Sequence, residues 1–230
     1  MSRASITECE DCVAPAKAFS VVGNETRLAI LEALWQADAD VVRFSRLREA
    51  VGVRDSAQFN YHLQELVGQF VAGGDDGYEL KYAGKAVVRA LLAGEFTHDP
   101  EWEAFEIDGQ CVACGATLVA EYVDETIAVA CPDCGHAHGE YAFPPGGLTD
   151  RSREEVMAAF DQRVRHLHCL AADGVCPECN GRMHSEVERG GDCCLGADLR
   201  VEHECAQCGH SLCSAVGLVL LDQSDVVTFH

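Results

Sequence analysis

The sequence predicts an α+β protein in which a helical N-terminal domain with one β-hairpin precedes two small β modules joined by a helix. Apolar residues recur at helical spacing up to about residue 96. Beyond that point, four Cys-x2-Cys pairs alternate with short stretches that have the period of strands. Between the second and third pairs, residues 152–171 return to helical spacing and begin with a capping-box pattern, Ser152-x-x-Glu155.

These changes along the chain divide it into five segments. We expect an N-terminal tail at 1–13, a first domain at 14–96, a first cysteine module at 104–148, a connecting helix at 150–172 and a second cysteine module at 173–230. The two modules form a loose internal repeat, because each contains two cysteine pairs with an apolar hairpin between them.

The chain is strongly acidic, with 38 Asp and Glu residues against 17 Lys and Arg residues and a formal charge of −21. Residues 1–95 carry 10 basic and 14 acidic side chains, whereas residues 96–230 carry 7 and 24. Contact with nucleic acid is therefore expected only in the first part. The lysine-poor, acidic surface also indicates adaptation to concentrated salt, where a Debye length of about 3 Å at 1 M screens self-repulsion. The alternative is an ordinary acidic cytosolic protein.

Nothing in the sequence indicates a membrane or secreted protein. No apolar run approaches the roughly 18–20 residues that cross a bilayer, and the N-terminus lacks the apolar core of a signal peptide. We therefore expect a cytoplasmic protein. In that compartment, the 14 cysteines favour metal binding over disulfides.

Three helices are predicted in the first domain. The first covers 24–35 and has Asn24 as its N-cap. The second covers 45–51 and is capped by Ser45. The third begins at Asp55, and its apolar residues at i, i+4, i+7 and i+8 form one face directed to the core. These residues are Phe59, Leu63, Leu66 and Val67.

A β-hairpin and a further helix follow. Turn residues at 73–77 mark the tip of the hairpin. Three helices, a short turn between the last two and then a hairpin are the order of a winged helix-turn-helix. In that fold the third helix enters the DNA major groove. The last helix, at 82–94, is expected to bury Val87, Val88, Leu91 and Leu92.

The outward face of the third helix is rich in amides and hydroxyls. Gln and Asn side chains can read adenine, whereas Ser, Tyr and His commonly hold phosphates. The segment 41–64 is also locally basic, with four arginines against two acids. The alternative is a plain amphipathic helix whose polar face only provides solubility. The candidate DNA-binding residues are Arg46, Arg54, Ser56, Gln58, Asn60, Tyr61 and His62.

Several blocks of this domain resemble the ArsR-type winged-helix transcriptional regulators. FSVVGNETRLAILEAL is similar to their opening helix, YHLQELVGQFV to their recognition helix, and GYELKYAGKAVVRAL to their wing and closing helix. The whole chain further resembles haloarchaeal regulators of this type that carry cysteine-rich C-terminal segments. The resemblance implies a homodimer on a two-fold site in double-stranded DNA, with wing contacts near Gly77, Tyr78 and Lys81. Metal-sensing members carry a cysteine pair in the helix before the recognition helix, but SRLREAV has none, so that sensing role is not transferred.

The four Cys-x2-Cys pairs form two candidate metal sites of four thiolates each. The pairs are separated by 16 residues in the first module and by 25 in the second, as in zinc ribbons, where a hairpin brings two knuckles together. Disulfides or a redox dithiol are the alternatives, and a catalytic metal is not expected because four thiolates close the coordination shell. The predicted ligands of two structural zinc ions are Cys111, Cys114, Cys131, Cys134, Cys176, Cys179, Cys205 and Cys208.

Six cysteines and several histidines lie outside these pairs. Cys169 and Cys213 are expected to be small buried residues. The other four could form part of a further metal site or respond to oxidants, and they are Cys9, Cys12, Cys193 and Cys194. The histidines could act as alternative ligands, although surface or structural roles are expected for them. They are His166, His168, His184, His203 and His210.

These features predict a sequence-specific DNA-binding transcriptional regulator, with zinc ribbons for structure and for dimer, partner or signal contacts. The expected partners are double-stranded DNA, a second copy of the chain and a protein of the transcription machinery, with no membrane. The alternative is a zinc-ribbon module that binds protein or RNA in a transcription or RNA-processing assembly, without specific DNA binding. An enzyme is not expected, because we find no nucleophile–base set, phosphate loop or open metal site.

Overall fold

The computed structural model describes residues 13–190 and 199–220, which belong to two compact units. One unit ends at Thr97 and the other begins at His98. Within the described ranges, no helix has the length and apolar character needed to cross a membrane.

The N-terminal unit consists of helices and one β-hairpin. Its elements are α1 (Pro15–Val22), α2 (Glu25–Trp35), α3 (Phe44–Val51), α4 (Ser56–Leu66), β1 (Val71–Gly74), β2 (Gly77–Leu80) and α5 (Tyr82–Ala93). Every helix contributes to a single apolar core, and the face of α4 that bears Phe59, Leu63 and Leu66 is fully buried in it. The predicted core face of α4 is thus confirmed, apart from Val67, which follows the helix and is half-buried.

The predicted starts of two helices are confirmed by their caps. The Asn24 side chain accepts a hydrogen bond from the Arg27 amide at 3.2 Å. At the start of α4, the Asp55 carboxylate accepts from the Ala57 amide at 2.7 Å and the Gln58 amide at 3.2 Å. These bonds satisfy amide groups that have no partner within the first helical turn.

The start of α3 and the end of α5 differ from the sequence predictions. Ser45 is not the cap of α3, because the helix begins at Phe44. Just before it, Val42 exchanges two backbone hydrogen bonds with Tyr78 of β2, at 2.8 and 2.9 Å, so a tertiary pairing determines where extended backbone gives way to helix. Leu92, predicted to be buried, is 61% exposed, because α5 buries only residues before its last turn.

The C-terminal unit contains two antiparallel sheets and a long helix. The first sheet has the sequential order β3 (Trp102–Gln110), β4 (Thr117–Val123), β5 (Thr126–Ala130) and β6 (Ala137–Ala142). After a 3-10 turn at Pro145–Leu148 comes α6 (Arg153–Ala172). The second sheet contains β7 (Met183–Arg189), β8 (Leu199–Cys205) and β9 (Ser211–Ala215), followed by the short helix α7 (Val216–Val219).

The first sheet confirms the predicted hairpin between the knuckles. Asp124 and Glu125 connect β4 to β5 with φ of 49° and 58°, the left-handed backbone that a tight two-residue turn requires. Outside this hairpin, β3 and β6 add an outer strand on each side.

The connecting helix α6 packs on both cysteine modules. Its predicted capping box is present: the Glu155 amide donates to Ser152 Oγ at 3.3 Å, and the Ser152 amide donates to the Glu155 carboxylate at 2.8 Å. Phe160 belongs to the buried cluster of the first sheet, and Leu167 belongs to the cluster that surrounds Cys176 in the second module. The helix therefore fixes the two modules as one unit.

Candidate metal centres and candidate nucleic-acid interface

The first cysteine set lies at one end of the sheet β3–β6. Its four sulfur atoms lie within 4.8 Å of one another. The Sγ atoms of Cys111 and Cys134 are 3.6 Å apart, and those of Cys114 and Cys131 are 3.5 Å apart. A disulfide needs about 2.05 Å, whereas four sulfurs at about 2.3 Å from one tetrahedral ion lie roughly 3.8 Å from one another. The set is therefore arranged for one metal ion.

The second set repeats this arrangement. The Sγ atoms of Cys176 and Cys208 are 3.7 Å apart, those of Cys179 and Cys205 are 3.5 Å apart, and all four again lie within 4.8 Å. The structure thus gathers all eight predicted cysteines into two sets, each of which can hold one metal ion. In the described part of the chain, no histidine belongs to either set.

Each knuckle closes with the same backbone turn. The residue after the second cysteine of each pair has positive φ, and its amide donates to the carbonyl of the first cysteine at 2.8–3.0 Å. Three knuckles use glycine for this conformation, as the sequence predicted, whereas the fourth uses Asn180 at φ 57°. The turn directs both sulfurs of a pair towards one point, so the ligand geometry is largely encoded in five consecutive residues.

Backbone and ring donors favour the thiolate form of one cysteine in each set. The ring of His138 is the largest influence that lowers the pKa of Cys111, to about 5. The amide of Cys208 has the corresponding effect on Cys205, whose pKa falls to about 6. Burial raises the pKa of Cys176. One thiol in each set is therefore prepared to ionise, and a bound cation would deprotonate the others by direct ligation.

The helix α4 presents a polar face to solvent. Ser56, Gln58, Asn60 and Tyr61 are all exposed. His62 differs from the other predicted contacts. It is half-buried, it packs edge-to-face on Tyr61 at 5.2 Å, and its Nδ1 is buried without a hydrogen-bond partner among the described residues. Four of the five predicted α4 residues are therefore accessible to a ligand, and the fifth supports the Tyr61 ring.

The predicted basic residues lie on the segments around α4. Arg46 on α3 and Arg54 in the turn before α4 are exposed. The Lys81 ammonium donates to the Gly68 carbonyl, which ties the end of the hairpin to the segment after α4. Lys81 thus has a structural partner in addition to its predicted wing role.

A buried polar chain in the C-terminal unit was missed by the sequence reasoning. The Tyr141 hydroxyl lies 2.9 Å from His168 Nε2, and His168 Nδ1 lies 2.6 Å from Ser214 Oγ. Ser214 Oγ also contacts His203 Nε2 at 3.0 Å, and His203 Nδ1 contacts Ser185 Oγ at 2.7 Å. Burial lowers the pKa of His168 to about 4 and also lowers that of His203, so both rings are neutral at pH 7.

The remaining predictions have mixed outcomes. Cys169 and Cys213 are half-buried, not buried. His166 and His184 are exposed, as expected for surface residues. The cysteines proposed for sensing lie outside the described residues, and they are Cys9, Cys12, Cys193 and Cys194.

Comparison with protein families divides the chain in the same two parts. Residues 108–230, more than half of the chain, match the family described as "Domain of unknown function (DUF7351)". The chain belongs to the DUF7351 family. Residues 15–91 match a second family, "Domain of unknown function (DUF7347)". The DUF7351 match contains both cysteine sets and α6, and the other match covers nearly all of α1 to α5. No curated protein matches the chain.

Proposed function

We propose that this DUF7351 protein is a sequence-specific DNA-binding transcriptional regulator. The N-terminal unit acts as a winged helix-turn-helix, in which α4 enters the major groove and the hairpin β1–β2 forms the wing. The observation that carries the proposal is the exposed polar face of α4, in the order α3, turn, α4, hairpin. A helix in that place projects side chains to base edges.

The composition of this face supports base reading over simple solubility. Gln58 and Asn60 are exposed, and each amide can donate to and accept from adenine at once. Ser56 and Tyr61 beside them can donate to phosphates. The Asp55 cap holds the start of α4 rigidly, so these side chains have a defined position when they meet a groove.

The phosphate contacts in this proposal are few. Arg46 and Arg54 are exposed near α4, but the whole chain carries a charge of −21. Each phosphate neutralised by a protein cation contributes about 0.9 to the slope of log K against log salt. We therefore expect a shallow salt dependence, which suits a protein that works in concentrated salt.

We further propose that both cysteine sets hold zinc. Four thiolates in tetrahedral arrangement are typical of structural zinc sites, and these sites complete the fold rather than react. Elemental analysis of purified protein would then find two zinc ions per chain.

A second copy of the chain is the proposed partner on DNA. Phe19 on α1, Leu92 on α5 and Phe96 after it are apolar side chains that remain mostly exposed in the N-terminal unit. Burial of such side chains would favour association. Sedimentation equilibrium should give the mass of two chains, and a monomer at all concentrations would contradict this part of the proposal.

The test of the regulator proposal is chromatin mapping of the tagged full chain in its host. The wild-type protein should be enriched at discrete sites, and the double variant Gln58→Ala/Asn60→Ala should lose that enrichment while keeping its zinc and its helical circular-dichroism signal. Gln36→Ala is the matched control, because Gln36 is an exposed amide side chain just after α2. This control should bind as the wild type does.

A different result would favour the alternative function. If purified protein binds no DNA fragment at any salt concentration and the double variant retains all protein partners, the chain is a zinc-ribbon protein- or RNA-interaction module. The strongly negative charge of the C-terminal unit would then disfavour RNA contact through the ribbons and favour a protein partner.

A further inference from the structure

A cavity of about 770 Å³ lies inside the C-terminal unit. Its walls come from both cysteine modules and from α6, which lies between them. Sites for small molecules are commonly about 300–1,000 Å³, concave and mostly apolar, with a few polar groups. Neither metal site includes this cavity, and the regulator proposal assigns it no role.

The walls of the cavity are apolar and partly aromatic. They include Phe105 and Ile107 of β3, Met157, Phe160 and Val164 of α6, and Leu218 of α7. Among its polar lining residues, His168 is buried and is already hydrogen-bonded to Tyr141 at 2.9 Å. His168 is neutral, so the interior offers no charge to a bound anion.

The mouth of the cavity is acidic. Glu106, Asp108 and Glu154 line it and are exposed, and among the described residues none of them forms an ion pair. Asp161 also lines it but is paired with Arg165 at 2.9 Å. The single basic group of the lining, Arg153, already lies over the ring of Phe105, 4.6 Å from its centroid.

One ring nitrogen at the cavity wall has no hydrogen-bond partner among the described residues. His138 lines the wall, and its Nε2 is buried without a hydrogen bond among the described residues. Buried polar atoms are nearly always satisfied by protein, water or ligand. The His138 ring also hydrogen-bonds the Cys111 thiol and lowers its pKa, so this wall of the cavity adjoins the first cysteine set.

We propose that this cavity binds a lipophilic organic cation. The apolar walls take up the hydrocarbon part, the aromatic rings attract a positive charge through their faces, and the carboxylates at the mouth favour the cation over an anion of equal size. The binding site lies wholly in the C-terminal unit, so it stands apart from the DNA-binding proposal and is tested without DNA.

The decisive experiment uses two ions of the same shape and opposite charge. Tetraphenylphosphonium and tetraphenylborate are titrated into zinc-loaded full-length protein by calorimetry, in sodium chloride at the lowest concentration that keeps the protein folded. We expect the cation to bind roughly tenfold more tightly or better, and the preference to shrink at about 1 M salt, where charges are screened. Equal binding of both ions, or binding of neither, would overturn the proposal.

Two variants separate the two parts of the recognition. Val164→Trp fills the cavity and should weaken cation binding by roughly tenfold or more, because the apolar volume is lost. Glu106→Gln/Asp108→Asn should reduce the ratio of cation to anion affinity while leaving the cavity in place. Glu186→Gln, an exposed site on β7 outside the lining, is the matched control and should change nothing.

Each variant is analysed for zinc before titration, so loss of the fold is not mistaken for loss of the site. If Val164→Trp keeps two metal ions per chain and still binds the cation as the wild type does, the cavity is not the binding site and the proposal fails. If the Glu106→Gln/Asp108→Asn variant keeps the full charge preference, the acidic mouth is not its source, and the proposal fails in that part.

Discussion

The two units of the chain bury their apolar side chains in different ways. In the N-terminal unit, eleven buried residues form one continuous cluster, to which all five helices contribute. In the C-terminal unit, the buried residues fall into three separate clusters of six, six and three members. Two of these three clusters include cysteines of the metal sets, namely Cys111, Cys131, Cys176 and Cys205.

The difference shows what each unit depends on. The N-terminal unit has enough apolar contact to fold through its own core. Each cysteine module is short, and modules of that size bury too little apolar surface to offset the conformational entropy of the chain. Metal ions held by the two cysteine sets would offset this deficit. The helix α6 joins the modules, because Phe160 and Leu167 each pack in the buried cluster of one module.

Loss of one metal site is the largest effect that we expect. Cys205 is 2% exposed and belongs to the second cysteine set. Cys205→Ser should reduce the metal content from two ions to one and unfold the second module, since a structural zinc ion contributes on the order of 10 kcal/mol. Hydrogen exchange should then show loss of protection in β7 to β9 and unchanged protection in α2 and α4.

Cys213→Ser provides the matched control for this variant. Cys213 lies on β9 of the same module but outside the metal set. It should retain both ions. If Cys205→Ser keeps its β-sheet protection without the second ion, the proposed dependence on metal is wrong.

Truncation of a core side chain in the N-terminal unit should destabilise that unit and leave both metal sites intact. Leu63 of α4 is completely buried in the N-terminal core. Leu63→Ala should lower the free energy of unfolding of that unit by about 2–5 kcal/mol, with both metal ions retained. Chemical denaturation followed by fluorescence reports on this unit when Trp102 is replaced by Phe in both proteins, because Trp35 is then the only tryptophan. The exposed neighbour Gln64→Ala should change stability by less than about 0.5 kcal/mol, and an equal loss in both variants would contradict the assignment.

The pH dependence of the C-terminal unit should reveal the buried histidine chain. Burial lowers the pKa of His168 to about 4, below the value of about 6.5 in an unfolded chain. Between those values the unfolded chain binds a proton that the folded chain excludes, so the stabilising contribution is complete above pH 6.5 and is lost as the pH falls towards 4. We expect a loss on the order of 1–3 kcal/mol.

Comparison with His168→Gln isolates this effect. The variant should be less stable at pH 7, but its free energy of unfolding should fall less steeply as the pH is lowered. Denaturation curves between pH 7 and pH 5, with the metal content checked in each sample, provide the measurement. Parallel curves for the two proteins would show that His168 does not titrate as described.

The smallest effects should come from the helix caps, one in each unit. Asp55→Ala removes two hydrogen bonds at the start of α4, and Ser152→Ala removes one at the start of α6. Each should cost about 1 kcal/mol, and each should lower the stability of its own unit only. Thermal unfolding should be followed with a separate probe for each unit. A lower unfolding temperature in the unit without the substitution would contradict this prediction.

Local sequence predicted the parts of the structure that depend on neighbouring residues. The knuckle turns, the hairpin at Asp124 and Glu125 and the caps at Asp55 and Ser152 all involve groups at most a few residues apart. Their hydrogen bonds are determined by side-chain type and backbone preference. The same reasoning failed for Ser45, because the backbone pairing of Val42 with the hairpin sets the start of α3. It also failed for Leu92, because the last turn of α5 extends beyond the apolar core.

The sequence by itself determined which residues form the two cysteine sets and the exposed face of α4. The Cys-x2-Cys spacing places two sulfurs on one turn, and the helical period places polar side chains on one side of α4. Only the tertiary structure decided the histidine chain and the cavity. Tyr141, His168 and Ser214 are separated by 27 and 46 positions in the chain, and no local preference brings them together. They meet because α6 packs on both cysteine modules, and that packing also forms the cavity beside them.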